Sequence, residues 1–487
     1  LRSLRLVFAA AALAAVAACA PQHPAALHAA PLKLGSVPAA HAPRWSAADL
    51  RALQTALRGV FTETRAATSG VAIVDADARP LFGLHDRTPF VPASTFKLLC
   101  GISALDVLGS QYRFATDLRA ADSADGSTVR GDLYLVGGGD PTLTGDDLRA
   151  AAGALAHAGI ERVDGALVAD ASTFAGPEVN PAWDPDDLQY GYAAGASALQ
   201  IDEGTVEFHL VPAVAGVPAR IEVRPPGGGV VVHGGVLTGY ATDLSIERDA
   251  TRNVFAFAGR IAVGAEQSFW RPVTDLPLYA GNVLASRLAE RGIDVRDGVR
   301  LGVAPLGGVA FWVHRSAPLG SIVHDMWLTS DNHHAEQLLR VLGAQRGTGT
   351  IASGALVERA ILARDGVPAP GLRVVDGSGL AASDRVAPET LAILLARAAS
   401  DPAGATIVRD LPRVGIEGTV RYRVLTDAAG RVRAKSGHIS DVNALAGYVQ
   451  TRRHGRVAFA FIVNGSGADD DAVDDGIDRA LDILARS

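Results

Sequence analysis

Apolar residues recur at helical spacing in two separated parts of the chain and at strand-like spacing in the stretch between them. Trp45-Ser-Ala-Ala-Asp-Leu-Arg-Ala-Leu opens a helix: Ser46 is a capping type, and Leu50, Leu53 and Leu57 keep one face apolar. Residues 69–75, Ser-Gly-Val-Ala-Ile-Val-Asp, predict a buried strand, 75–80 a turn, and 80–84 the returning strand. In Val91-Pro-Ala-Ser-Thr-Phe-Lys-Leu-Leu-Cys-Gly-Ile-Ser-Ala-Leu-Asp-Val-Leu108, Ser94 is a favoured helix-start residue. The run after it is apolar on nearly every face, the pattern of a helix at a domain centre. From Tyr112 to about residue 300 the texture changes to short β-like runs (131–136, 163–170, 206–211, 254–258) punctuated by Gly, Pro and Asp. Two helical pieces lie among them, one from Asp147 and one from Ala280 to Arg291. From about Val309 helical spacing returns over 319–327, 332–342, 352–365 and 388–399. The chain ends in β-like runs (432–436, 444–450, 457–463) and an amphipathic helix over 472–486. This order predicts an α/β (α+β) protein in which one domain, 45–115 with 305–487, is split by β-rich inserted domains over 116–304, two of them nested. No fixed-period repeat indicates a solenoid.

Composition narrows the class. At 487 residues the chain exceeds a single compact core, and 48% hydrophobic with 20% charged residues is a globular composition. A formal net charge of -7 leaves no basic footprint for nucleic acid. Arg2 and Arg5 precede an apolar run too short to span a bilayer comfortably, so residues 1–19 read as a targeting segment of an exported, cell-envelope protein. The run ends in Val16-Ala-Ala-Cys19, which resembles a bacterial lipobox with Cys19 as the lipidated residue; the alternative is an ordinary signal peptide in which Cys19 is incidental. Residues 20–44, rich in Ala, Pro and His, read as a tether, so any membrane contact runs through an N-terminal lipid anchor. Cys19 and Cys100 are the only cysteines, which gives no disulfide framework, and Cys100 in its apolar helix reads as inert packing.

The chemistry lies in three short motifs. Ser94 and Lys97 are three apart, on one helix face, where hydroxyl and amine can meet. Burial favours a neutral amine and a helix N-terminus favours negative charge developing on the serine oxygen, which together make a nucleophile and its base. Ser330 and Asn332 are two apart, so on a non-helical segment both face one way, a proton-relaying hydroxyl beside a substrate-holding amide. In Arg433-Ala-Lys-Ser-Gly-His438, strand alternation puts Lys435 on one face with Gly437, which permits close backbone approach, and Lys435 with Ser436 suits a terminal carboxylate.

S-x-x-K, S-x-N and K-[ST]-G in that order form the signature set of penicillin-recognising serine enzymes. More than two hundred residues lie between the first two motifs, room for whole domains. The chain therefore resembles the D-alanyl-D-alanine carboxypeptidase/endopeptidase family with large insertions, the DacB-type low-molecular-mass penicillin-binding proteins. Further family-like phrases are Gly131-Asp-Leu-Tyr-Leu-Val-Gly-Gly-Gly-Asp-Pro-Thr-Leu143, Asp376-Gly-Ser-Gly-Leu380, Gly415-Ile-Glu-Gly-Thr419 and Leu445-Ala-Gly-Tyr448. The resemblance implies a β-lactamase/transpeptidase-like catalytic domain, an antiparallel sheet with helices. It implies a serine-type D-Ala-D-Ala carboxypeptidase and DD-endopeptidase acting on peptidoglycan stem peptides, inhibited by β-lactams, with no cofactor and no metal. Ser94 is then the nucleophile, and Lys97, neutral through burial and the Lys435 charge, its base. Ser330 relays a proton to the leaving amine and Asn332 holds the substrate backbone. Lys435 and Ser436 bind the carboxylate, and the N–H groups of Ser94 and His438 form the oxyanion hole.

Three positions depart from the family pattern: Ser436 for threonine, His438 for Thr or Ser, and Asp441 for the more usual glycine. In Trp183-Asp-Pro-Asp-Asp187, the resemblance implies that Asp187 or Asp186 holds the ammonium end of the stem-peptide side chain; a solvated acidic loop is the alternative. His333 and Glu336 have the i, i+3 spacing of some metal sites, but no second pair and no H-E-x-x-H accompanies them. Gly137-Gly-Gly-Asp-Pro141 lacks the Gly-Lys-Ser/Thr of a phosphate cradle, and Gly377-Ser-Gly379 lacks the full nucleophile-elbow pattern. Two rival functions remain. A β-lactamase would need a deacylation base, for which no motif is present, and an inactive wall-binding protein would carry a broken motif, whereas all three are intact.

Overall fold

Strand alternation in the flanking parts sorts their apolar residues onto two faces of one sheet. In the computed structural model, which describes residues 45–63, 69–400, 404–465 and 470–487, strand Ser69–Val74 sends Val71 and Ile73 to one face and Ala72 and Val74 to the other. The sheet has five strands in the order Val432–Ile439, Val442–Gln450, Arg456–Asn464, Ser69–Val74, Pro80–Leu84, every pair antiparallel. Residues from both ends of the chain are therefore needed to complete it. The first face is covered by helices Ala47–Glu63 and Asp470–Arg486, which contribute Leu53, Leu57, Phe61, Ile477 and Leu481. Ser46 Oγ caps the first of these, accepting the Asp49 N–H at 3.0 Å.

The second face carries helix Lys97–Leu108, buried on nearly all sides as its sequence predicts. Around it lie helices Leu319–Thr329, Asn332–Ala344, Ile351–Arg364 and Pro388–Ser400. Gly101 sets one of these contacts, because a Cβ there would sit 2.8 Å from the Trp327 ring. Trp327 Nε1 in turn donates to the Lys97 carbonyl at 3.0 Å.

The middle of the chain has its own core, centred on Leu118, Leu135, Leu148, Leu167, Phe208, Phe255 and Leu284. It contains a five-stranded sheet ordered Val299–Leu301, Leu167–Asp170, Leu133–Gly137, Ala115–Ala120, Val309–Arg315, with helices Gly145–His157 and Leu276–Ala289 packed together beside it. Two smaller sheets occupy 205–272. Strand Val309–Arg315 pairs antiparallel with Ala115–Ala120. It belongs to the inserted sheet, so the chain returns to the central helices nearer Ser316 than the residue 305 expected from sequence. The three glycines 137–139 thread close backbone: Cβ atoms at Gly137 and Gly138 would lie 2.2 and 2.3 Å from the Ala198 and Ala115 carbonyls. Cys19 and the tether lie outside the described residues, and among the described residues no helix is long and apolar enough to cross a membrane.

Candidate active site

Ser94 sits on a tight turn, Ala93–Phe96, that runs into helix Lys97–Leu108. Its expected capping role is not used: no side-chain cap bond forms, and Ser94 Oγ instead accepts from Lys97 Nζ at 2.8 Å. Ala93 before it is left-handed, at φ 45, a conformation that costs a non-glycine residue on the order of 1–3 kcal/mol. Two contacts hold that turn. Thr95 Oγ1 donates to the Pro92 carbonyl at 2.7 Å, and Gly379 presses so closely that a Cβ there would be 1.9 Å from the Ala93 carbonyl.

Lys97 is fully buried and makes three bonds: to Ser94 Oγ, to Asn332 Oδ1 at 2.6 Å and to the Ser378 carbonyl at 2.9 Å. Burial lowers its pKa to about 8, against the opposing pull of Asp376, Asp331 and Glu336. Lys435 is also fully buried and donates to Ser330 Oγ at 2.9 Å and to the Ser436 carbonyl at 2.7 Å. Burial first, and the Lys97 charge second, hold it well below the ordinary lysine value. Cys100, one turn along, is buried with its thiol pushed well up, chiefly by burial, and so is an inert packing group.

The middle motif is not one non-helical segment with both side chains facing one way. Ser330 is a left-handed C-cap, φ 66, ending helix Leu319–Thr329, while Asp331 caps the next helix by accepting the His334 N–H at 2.7 Å. This sharp reversal aims Ser330 at Lys435 and Asn332 at Lys97, one residue for each lysine. On the last motif, Gly437 brings strand Val432–Ile439 against the nucleophile turn: a Cβ would be 2.8 Å from the Pro92 carbonyl and 3.0 Å from Ser94 N. Ser436 Oγ lies 2.7 Å from Thr419 Oγ1. His438 is exposed, with Nδ1 2.7 Å from Asn443 Oδ1. Asp441, in the two-residue turn between paired Ile439 and Val442, has φ 59, which accounts for glycine being usual there.

The structure thus brings Ser94, Lys97, Ser330, Asn332, Lys435, Ser436 and Gly437 to one place. Asp187 stands at its border, accepting the Tyr192 hydroxyl at 2.7 Å, while the Tyr192 carbonyl accepts from Asn332 Nδ2 at 2.9 Å. Sequence reasoning missed the floor of the site. Asp376 accepts from Gly379 N at 2.6 Å, Ala381 N at 2.7 Å and Trp183 Nε1 at 2.8 Å, which fixes the loop carrying the Ser378 carbonyl. Glu336, weighed in sequence as a metal partner of His333, instead accepts the Gly377 and Ser378 N–H groups. His333 is buried and lowered to about 4, first by burial.

Known proteins share the sequence and the fold of this chain. The D-Ala-D-Ala carboxypeptidase 3 (S13) family matches residues 53–487. The D-alanyl-D-alanine carboxypeptidase of Actinomadura sp. (strain R39) is 36% identical over 436 residues, covering 84% of this chain and 80% of that protein. The D-alanyl-D-alanine carboxypeptidase DacB of Haemophilus influenzae is 26% identical over 393 residues, covering 78% and 82%. The crystal structure of penicillin binding protein 4 (dacB) from Haemophilus influenzae has the same fold, with a TM-score of 0.78 at 24% identity, covering 88% of this chain and 99% of that one. The chain belongs to the S13 family and is a serine-type D-Ala-D-Ala carboxypeptidase.

Proposed function

We propose that Ser94 is the nucleophile and Lys97 the general base of a D-Ala-D-Ala carboxypeptidase reaction on peptidoglycan stem peptides. The supporting observation is the buried Lys97 amine, held 2.8 Å from Ser94 Oγ by two further acceptors that are not carboxylates. Ser94 Oγ attacks the penultimate D-Ala carbonyl as its proton passes to Lys97, and the oxyanion is stabilised by the Ser94 and His438 N–H groups. The bond to the terminal D-Ala breaks as Ser330, bonded to Lys435, relays a proton to the leaving amine. Water then attacks the Ser94 ester, its proton returns through the same relay, and the free serine is restored.

Lys435 and Ser436 receive the terminal carboxylate, with Thr419 supplying a second hydroxyl beside Ser436. Asn332 holds the substrate backbone while it orients Lys97. Asp187 binds an ammonium on the stem-peptide side chain, supported by its link through Tyr192 to Asn332. The same serine is acylated by β-lactams, and cross-linked peptides ending in D-Ala-D-Xaa amides are cut by the same steps; penicillin binding protein 4 from Haemophilus influenzae has been solved with a β-lactam. Export and lipidation at Cys19 complete the reading. D-Ala release from a pentapeptide, measured beside cleavage of a cross-linked dimer, tests it: wild type releases D-Ala and Ser94→Ala does not. A fully active Ser94→Ala refutes the mechanism. Asp187→Ala raises KM for a side chain bearing a free ammonium but not for its acetylated analogue; equal effects on both refute that assignment.

A further inference from the structure

Helix Asn332–Ala344 is buried from His333 to Gly343. Four of its polar residues, His333, Glu336, Gln337 and Arg340, fall at three- and four-residue spacing and form a buried stripe. Arg340 donates to the carbonyls of Ala175, Pro177 and Glu178, and Gln337 to the Ser197 carbonyl at 2.8 Å, all on the inserted part. Glu336 alone in this stripe turns toward the nucleophile. Its Oε1 accepts from Gly377 N at 2.9 Å and Ser378 N at 3.1 Å. Two N–H groups converging on one oxygen fix the plane of the peptide between them, and the next carbonyl, that of Ser378, points to Lys97 Nζ at 2.9 Å.

We propose that Glu336 is a positioning residue for the general base: by anchoring the Gly377 and Ser378 N–H groups it fixes the Ser378 carbonyl as the acceptor that holds Lys97 against Ser94. The inference rests on the reading of Lys97 as base. The loop has no slack on either side. A Cβ at Gly377 would lie 2.5 Å from the Ala335 carbonyl, and one at Gly379 1.9 Å from the Ala93 carbonyl, so the loop is clamped between the Glu336 helix and the nucleophile turn. The charged groups around Glu336 are Asp376, Arg340, Glu358 and, across the loop, Lys97. Burial first and Asp376 second push the Glu336 carboxyl up to about 8, so near neutral pH it acts through an acceptor oxygen more than through charge. An amide offers the same oxygen.

The test is the second-order rate of acylation by a chromogenic cephalosporin, from pH 5.5 to 9.5, for E336Q, E336D and S94A beside wild type. E336Q keeps the acceptor in place without an ionisable carboxyl; E336D keeps the carboxyl and withdraws its oxygen by about 1.5 Å. The proposal predicts E336Q within about threefold of wild type with its acid limb unmoved, and E336D about 10- to 100-fold slower, since a displacement of about 1 Å at a reacting group can cost that much. Pre-acylation binding of the cephalosporin stays within about twofold in both, the split expected when positioning and not binding is lost. E336D retained with E336Q lost, both retained, or both lost overturns the proposal. Acylation persisting in S94A would instead overturn the underlying assignment of the nucleophile, a distinct result.

Discussion

The sharpest consequence of the site is a pH dependence carried by Lys97. Only the free amine can take the Ser94 proton, so acylation tracks the unprotonated fraction of Lys97. With a pKa of about 8, roughly a tenth of the lysine is free base at pH 7; at the ordinary 10.5 it would be about 0.03%, so burial raises the reactive fraction about 300-fold. Acylation therefore rises about tenfold per pH unit on the acid side, bends near pH 8 and is level above it. Lys97→Arg, charged at every accessible pH, acylates below about 1% of wild type throughout. Stopped-flow acylation by a chromogenic cephalosporin between pH 5.5 and 9.5, where the fold is checked by circular dichroism, reads this profile. A rate flat from pH 6 to 9, or a bend above pH 9.5, would refute the claim that burial tunes the base.

The same geometry sets further outcomes. Gly437→Ala pushes a Cβ to within 2.8–3.0 Å of the Pro92, Thr95 and Ser94 backbones and should slow acylation at least about tenfold with little change in melting temperature. Asn332→Ala removes the 2.6 Å acceptor on Lys97 and the donor to the Tyr192 carbonyl; D-Ala release should fall about 10²-fold, and an unchanged kcat would contradict the role. Arg364 grips buried Asp106 with two bonds, 2.9 and 3.0 Å, tying helix Lys97–Leu108 to helix Ile351–Arg364. Arg364→Ala should cost about 1–2 kcal/mol in urea unfolding, less than a fully buried pair because the guanidinium is partly solvated.

The parts legible in sequence were those whose signal is local. Ser94 with Lys97, and Lys435 with Gly437, are defined by helix and strand periods; the structure puts Lys97 Nζ 2.8 Å from Ser94 Oγ and packs Gly437 against the nucleophile turn. The Ser330–Asn332 motif was legible as chemistry but not as shape, because its reversal depends on a left-handed Ser330 that the residue type does not favour. Strand Val309–Arg315 escaped because its partner, Ala115–Ala120, is remote in the chain and its own residues are mostly exposed. The carboxyls of Glu336 and Asp376 were missed because acidic residues ordinarily lie at the surface. The available signal was the polar stripe at helical spacing on a helix whose residues after His334 are otherwise apolar or glycine. Asp376-Gly-Ser-Gly-Leu380 likewise entered only as a family phrase, since a backbone carbonyl that orients an amine leaves no mark on side-chain chemistry.

Formation of an acyl-enzyme on Ser94, with Lys97 as its base, is the step on which every other assignment depends. Intact mass spectrometry of the protein incubated with a penicillin, followed by peptide mapping, tests it most directly. The expected result is one adduct, mapped to Ser94, that forms more slowly in Lys97→Arg and is absent from Ser94→Ala. No adduct on wild type, or an adduct that survives in Ser94→Ala, would contradict it.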